Sequence, residues 1–504
     1  MASIYEQKDR VVFPRWRDFD NTINSGDIRP FAVPPKRIYS DADIELKILA
    51  WKEDQSIANA LELLNSAYNL GLYDYAEQTA QYLRQEKKVI PLGLQRIIDT
   101  VLKLDNDATP IFTDVTFDKN LINNYFHREI AKHRARLRHF ESNAISWVEL
   151  GRLHAIVNNL SKAETALLIA LRLAPENRYV LRSLARFYVH TSQSEKALFY
   201  LRRSEASKHD PWLLSTQLSI TNQIKRHPGP LAKRGFALVE SKRFAPFDVN
   251  ELASSLGTME LFNGASKAAK RLFKQSLINP NDNSVAQATW ASNIIPSLEI
   301  EQRSLKLPSA YEARAFEFYR EGKYQDAFNE SVRWLLDEPY ATRPARFSTF
   351  LASTHLENYK IAAEISMFSL QIAPDNFDLI NNLAYSTCLL GNAIGAAQVY
   401  SRVNENMLSP KEEVVYAATS GLIQYRNGNP SHGKKLYEQA INSAKDLKDE
   451  MLYRLAMVNF MREEYLQNPT RLEDAMPILE KAKENLQDED LHKEFERIEQ
   501  ILIA

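Results

Sequence analysis

The chain repeats itself after 34 residues, and that constrains its fold more than any motif does. The stretch WVELGRLHAIVNNLSKAETALLIALRLAPEN carries Trp147, Leu150, Gly151, His154, Ala163, Leu167, Ala170 and Pro175. Offset by 34, the same kinds of position hold Leu181, Leu184, Ala185, Tyr188, Ala197, Leu201 and Ser204, and the series closes near Pro211. Within each copy the apolar residues recur every three or four positions, which predicts two consecutive amphipathic helices. One such pair cannot bury its apolar face alone, so a period of this length implies a stack of helix pairs. Composition agrees: only 14 of 504 residues are glycine, and glycine is a poor helix residue.

Further copies follow. One holds Tyr311, Ala315, Phe318, Gly322, Tyr324, Ala327, Ser331 and Pro339, and the next Tyr359, Ala362, Ser366, Ser369 and Pro374. Others are marked by Leu383, Ala384, Gly391, Ala396 and Tyr400, and by Gly421, Gly428, Gly433, Tyr437 and Ala440. Weaker copies lie at 214–246, at Leu252 to Pro280, at Leu64 to Leu83 and at Leu452 to Ala482. The pattern W-x2-L-G-x2-Y, then A-x3-F, then P, resembles the tetratricopeptide repeat family. That resemblance implies an all-α superhelical solenoid of helix pairs. Alanine lets the paired backbones approach closely, and proline stops each second helix.

The expected organisation has six parts. Residues 1–56 form an extended arm and a first helix, and 57–142 a divergent unit with a connector and a basic helix. Repeat blocks occupy 143–280 and 310–484, separated at 281–309 by an irregular break or hinge marked by Trp290, Pro296 and Pro308. A capping helix, 485–504, aligns Leu491, Phe495, Ile498 and Leu502 on one face. The arm is rich in proline and aromatics. It is expected either to lie along the array or to dock on a partner or second subunit through Phe13, Trp16, Phe19 and Phe31.

Chemistry is poorly represented. The sequence has no G-x4-G-K-S/T phosphate loop, no H-E-x-x-H, no G-x-S-x-G elbow and no paired C-x-x-C, which argues against an enzyme and against a cofactor. His127, His133 and His139 are six apart, whereas metal ligands on one helix face need three or four. Cys388, the only cysteine, is expected to be packing rather than a nucleophile. With neither a signal peptide nor a 20-residue apolar run, a reducing, cytoplasmic setting is the expectation.

Charge is unevenly spread. Residues 120–275 hold 25 lysines and arginines against 12 acids, whereas the whole chain has net charge -1. The densest stretch, HREIAKHRARLRH, offers Arg128, Lys132, Arg134, Arg136 and Arg138 as a possible patch for an anionic partner. The resemblance further implies a concave groove lined by the first helix of each pair. Its expected contact residues are Arg152, Arg182, Arg186, His190 and Lys225 in a cationic part, and Phe316, Tyr319, Asn381, Tyr385 and Tyr425 in an aromatic and polar part. The two-carboxylate clamp of some family members lacks its asparagine here. The favoured function is a non-enzymatic scaffold or adaptor that binds protein partners within a larger complex. A nucleic-acid-associated or regulatory sensor subunit working with an effector enzyme is the alternative, and self-association through the arm stays open.

Overall fold

The computed structural model describes residues 10–17, 41–70, 72–86, 98, 101–102, 117–241, 243–307 and 309–467. The expected capping helix, residues 468–484 of the last unit, and Phe19 and Phe31 of the arm lie outside the described residues. Among those described, 23 α-helices and no strand occur. The protein is an all-α solenoid.

An amino-terminal group comprises α1 (Asp41–Glu53), α2 (Ile57–Leu70) and α3 (Tyr73–Gln85), followed by the basic helix α4 (Lys119–His139). Pairs then run α5 (Ala144–Ile156) with α6 (Leu160–Leu173), and α7 (Arg178–His190) with α8 (Ser194–Arg203). After them come α9 (Pro211–Gln223) with α10 (Gly229–Glu240), and α11 (Pro246–Phe262) with α12 (Ser266–Ser276). Helix α13 (Asp282–Ser292) is followed only by the short α14 (Gln302–Leu305). The pairs resume with α15 (Tyr311–Arg320) and α16 (Tyr324–Asp337), then α17 (Thr342–Phe350) and α18 (Tyr359–Ile372). The series ends with α19 (Phe377–Leu389) and α20 (Ala393–Tyr400), α21 (Pro410–Arg426) and α22 (Pro430–Asp446), and α23 (Glu450–Gln467).

Local chemistry sets these boundaries. Asparagine and aspartate start the first helices: Asn143 caps Ser146, Asn177 caps Tyr179 and Val180, and Asp210 caps Trp212 and Leu213 ahead of Pro211. Such side chains satisfy amide donors that the first helical turn leaves open. The turn from first to second helix also repeats. A left-handed residue sits at Asn158, Ser192, Lys225, Gly264, Gly322, Glu357, Gly391 and Gly428. In all but one, the next amide bonds the carbonyl five residues back, as in Asn159 to His154, Gln193 to Tyr188 and Asn392 to Thr387, which is a Schellman closure. At Glu357 the reach is six residues, Asn358 to Ala352. There α17 runs on into a π turn, Leu351–His355, which holds one extra residue.

The region expected as an irregular break holds a complete first helix. Helix α13 begins with a reciprocal capping box between Asn281 and Ser284, and it packs on both α11 and α15. What is reduced is its second helix, cut to the four residues of α14. Trp290 fills the resulting corner against Phe262, 6.0 Å between ring centres.

The superhelix closes across its own turns. Phe117, just before α4, meets Phe368 of α18 edge-on at 5.5 Å, and Asn123 bonds Gln371 at 2.9 Å. One layer inward, Arg186 of α7 lies 4.9 Å from the ring of Tyr340, and His190 stands edge-on to the same ring. Helix α2 packs against α11. The first helices α7, α9, α11 and α13 are consequently buried on nearly every side, instead of lining an open groove.

Candidate peptide seat in the superhelical channel

The channel holds part of the protein's own amino terminus. Residues 10–17, RVVFPRWR, lie inside it without helical structure, and burial alternates along them: Arg10, Val12, Pro14 and Trp16 are buried, while Val11, Phe13, Arg15 and Arg17 are half-buried. Alternation of this kind belongs to an extended chain. Pro14 enforces it, because proline offers no amide donor and biases the preceding Phe13 toward extended backbone.

Side chains from separate elements hold the main chain of this segment. Gln287 Nε2 donates to the Arg10 carbonyl at 2.8 Å, and Asn283 Nδ2 to the Phe13 carbonyl at 2.7 Å. The Trp16 amide donates to Tyr340 Oη at 3.1 Å, and the Arg17 carbonyl lies 3.3 Å from Tyr179 Oη, whose proton goes to Glu149 at 2.5 Å. Contacts to backbone atoms hold an extended chain whatever its side chains are. Side-chain contacts then add selectivity. Trp16 is fully buried, 5.4 Å from Tyr340 and 6.3 Å from Phe187 between ring centres, and Phe13 lies under the Arg186 guanidinium at 5.8 Å.

Three arginines supply the electrostatics. Arg10 grips Glu312 with two parallel bonds, both 2.8 Å, the fork geometry that suits a carboxylate. Arg15 reaches Glu312 at 2.5 Å, Asp282 at 3.2 Å, and Glu338. Arg17 bonds Asp337 at 2.5 Å and Asp282 at 2.6 Å. Burial opposes every one of these charges, but the pairing outweighs it at most sites. Arg15 and Arg17 are held above the ordinary arginine value by the acids around them. Burial would raise Glu312, Asp282 and Glu338, yet the adjacent arginines hold all three carboxyls below their usual range. Asp337 is the exception: burial pushes it up to about 6, with Arg17 only partly compensating.

Two of the four acids of the seat also have partners within the array. Glu338 accepts Trp334 Nε1 at 3.0 Å and Tyr340 Oη at 2.9 Å, and Glu312 pairs with Arg343. Four carboxylates, Asp282, Glu312, Asp337 and Glu338, thus face the array's own Arg186 and Arg343, and the arm brings the cations that complete the balance.

This placement corrects the expected cationic groove. Arg152 is buried against Glu149 at 3.1 Å, and Arg182 against Glu251 at 2.8 Å and over Trp212 at 4.9 Å. Their charge is spent inside the wall. Arg186 covers Phe13 and Tyr340 of the same seat, and His190 is a half-buried ring whose pKa is pushed down to about 4 by partial burial and by Arg186, which keeps it neutral at neutral pH. Lys225 is exposed in the turn beyond α9, because the helix ends at Gln223. Phe316 stacks on Phe347 at 4.5 Å, and Tyr425 is buried beside Tyr437 and Phe460, so both are core. Tyr319 belongs to an aromatic cluster with Tyr324, Phe347, Phe350 and His355.

Two expected residues do line open space. Asn381 and Tyr385 face a cleft of about 130 Å³ between α19, α21 and α23, shared with Ala418, Thr419, Leu455 and Asn459. Asn381 Oδ1 accepts Thr419 Oγ1 at 2.8 Å and Tyr400 Oη at 2.9 Å; its amide group has no acceptor among the described residues. On α4, Arg128, Lys132, Arg134, Arg136 and Arg138 are all exposed; of these, Lys132 pairs with Glu129. Cys388 is buried, and burial pushes its thiol up to about 11, which keeps it protonated and a poor nucleophile at neutral pH.

The residues of the seat were hard to find from sequence. Asp282, Asn283, Gln287, Glu312, Asp337, Glu338 and Tyr340 sit 265 or more positions from the arm residues that they contact, and only the spacing Arg10, Arg15, Arg17 around Trp16 hinted at a charged extended segment.

No family model matches this chain, and no curated protein matches its sequence. Solved structures similar to it include yeast Tom70, at 11% identity over 90% of this chain and 96% of that one, with TM-score 0.30. The IFIT1 monomeric mutant with Gppp-AAAA matches at 11% identity over 91% and 94%, TM-score 0.32. The APC/C hetero-tetramer Cut9–Hcn1 matches at 12% identity over 90% and 92%, TM-score 0.31.

Proposed function

We propose that the protein is a non-enzymatic scaffold that holds extended segments of protein partners along the inner wall of its superhelix, as one component of a larger complex. The observation that carries this reading is the arm itself: an extended segment gripped through its main chain by Asn283 and Gln287 of α13 and by Tyr340 in the turn after α16. Amide side chains that donate to peptide carbonyls suit extended ligands of varied sequence. The cleft at Asn381 offers the same chemistry in unoccupied form, with an amide donor and apolar walls from Ala418 and Leu455. A preformed, multi-unit wall loses little freedom on binding, which favours affinity built from many modest contacts.

A photo-crosslinking residue placed at Tyr385 or Asn459, in the native cells, tests this. Partner proteins are expected to attach there and not at Lys434, exposed on the outer helix α22. Equal labelling at both places contradicts the reading.

The exposed arginines of α4 favour a second reading, in which this helix holds a nucleic acid. Under it, binding weakens steeply as salt rises, and Arg134→Glu with Arg138→Glu abolishes it. Binding that is insensitive to salt rules it out.

A further inference from the structure

We propose that the axial seat is an exchangeable recognition site for an extended, arginine-rich segment of a partner protein, and that residues 10–17 are its occupant in cis. The proposal rests on the scaffold reading above and adds the chemistry of the ligand: arginines spaced as Arg10, Arg15 and Arg17, with a tryptophan between the last two.

Three features separate an occupant from a permanent part of the core. First, the segment is joined to its seat by nothing nearby in sequence. Residues 18–40 separate it from α1, and its partners lie at 179–190 and 282–343. Second, the centre of the seat is anchored by the array itself. Glu338 is anchored by Trp334 and Tyr340, Glu312 by Arg343, and Tyr340 by the overlying Arg186. A site already oriented by its own hydrogen bonds binds a ligand presented from another chain as well as one presented from its own. Third, the seat without its arm is acidic. Four buried carboxylates against Arg186 and Arg343 leave an excess of negative charge, and a buried charge without a partner is costly. That excess selects a cationic ligand over the neutral or acidic segments that the tethered arm would otherwise compete with. The tether gives the arm a high local concentration, so a partner enters only if it matches the arginine and tryptophan positions closely or if the arm is released.

The test uses the full chain with a protease site placed within residues 18–40 and cut after folding. A fluorescent peptide of sequence RVVFPRWR is then added, and its uptake is followed by anisotropy while circular dichroism monitors the helices. Saturable uptake is expected, together with release of the endogenous arm. Substituting the peptide at its two key positions, as Arg15→Glu and Trp16→Ala, should weaken uptake by about 100-fold, the scale found when buried charge pairs are broken. The protein variant Glu338→Gln should weaken uptake of the natural peptide, while Lys434→Gln on the outer surface should not. The proposal fails if the cut protein keeps its helices but never takes up peptide, if the altered peptide enters equally well, or if cutting unfolds the array. The last result would make the arm a structural member and would leave the cleft at Asn381 untouched as a partner site.

Discussion

Among the described residues of the arm, Trp16 is the largest fully buried side chain. It is fully buried and touches both Phe187 and Tyr340, which brings together turns of the superhelix more than 150 residues apart. Trp16→Ala should destabilise the protein by about 3–5 kcal/mol, the usual cost of removing a buried indole, read as a fall in thermal midpoint. Two titrating groups beside the seat have opposite signs. His190 has a folded pKa of about 4 against 6.5, so the unfolded chain binds more protons in that window and stability falls as pH drops through it. Asp337 has a folded value of about 6 against 3.8, so the folded chain binds more protons and stability rises as pH drops through that window. Each contribution is on the order of 3 kcal/mol, and they nearly cancel above pH 4.5. His190→Gln should therefore make the protein gain stability on acidification from pH 6.5 to 4.5, and Asp337→Asn should make it lose stability. Thermal midpoints measured across that range decide; parallel profiles for both variants contradict the assignment. Burial would raise Glu312, Asp282 and Glu338, but the arm's arginines hold them below the ordinary carboxylate range, so they take up protons, and the arm loses its hold, only at a pH below that range.

Among the elements, the helix pairs were largely legible in the sequence and the inner wall was not. Asparagine and proline starts, alanine at the helix crossings and left-handed turn residues such as Gly322, Gly391 and Gly428 are local signals, and they recur with the period of the repeat. Ser192, Lys225 and Glu357 take the same left-handed turn without glycine, so composition alone missed them. One close helix approach illustrates how local these rules are. Gly421 of α21 and Gly433 of α22 face one another, and a Cβ on Gly433 would stand 2.5 Å from Tyr425 and 2.9 Å from the Gly421 carbonyl. Gly433→Ala should force this pair apart and cost about 1–3 kcal/mol, visible in urea unfolding. An unchanged midpoint would show that the rings swing aside freely. By contrast, the pairing of Arg182 with Glu251 spans 69 positions. A count of arginines on the groove-facing positions therefore predicts a cationic wall that the fold neutralises. Only the Glu149 and Arg152 pair, three apart on one helix, could have been anticipated.

At the scale of the whole molecule, the superhelix is a container already holding its own amino terminus. Periodicity specifies that helix pairs stack, but not how tightly the stack winds or what fills its axis. Those depend on contacts such as Phe117 with Phe368 and Arg186 with Tyr340, between turns that no local pattern connects. Arginines at positions 10, 15 and 17 meet acids at 282, 312, 337 and 338, so the arm is tied electrostatically to the middle of the array. The arm's occupancy of the channel is tested most directly by replacing Phe13 with a photo-crosslinking residue in the purified full chain and mapping the adduct by mass spectrometry. Attachment within the same chain, to α7 near Arg186 or to residues 337–343, is the predicted result. Adducts on the outer helices, or none within the chain, would contradict it.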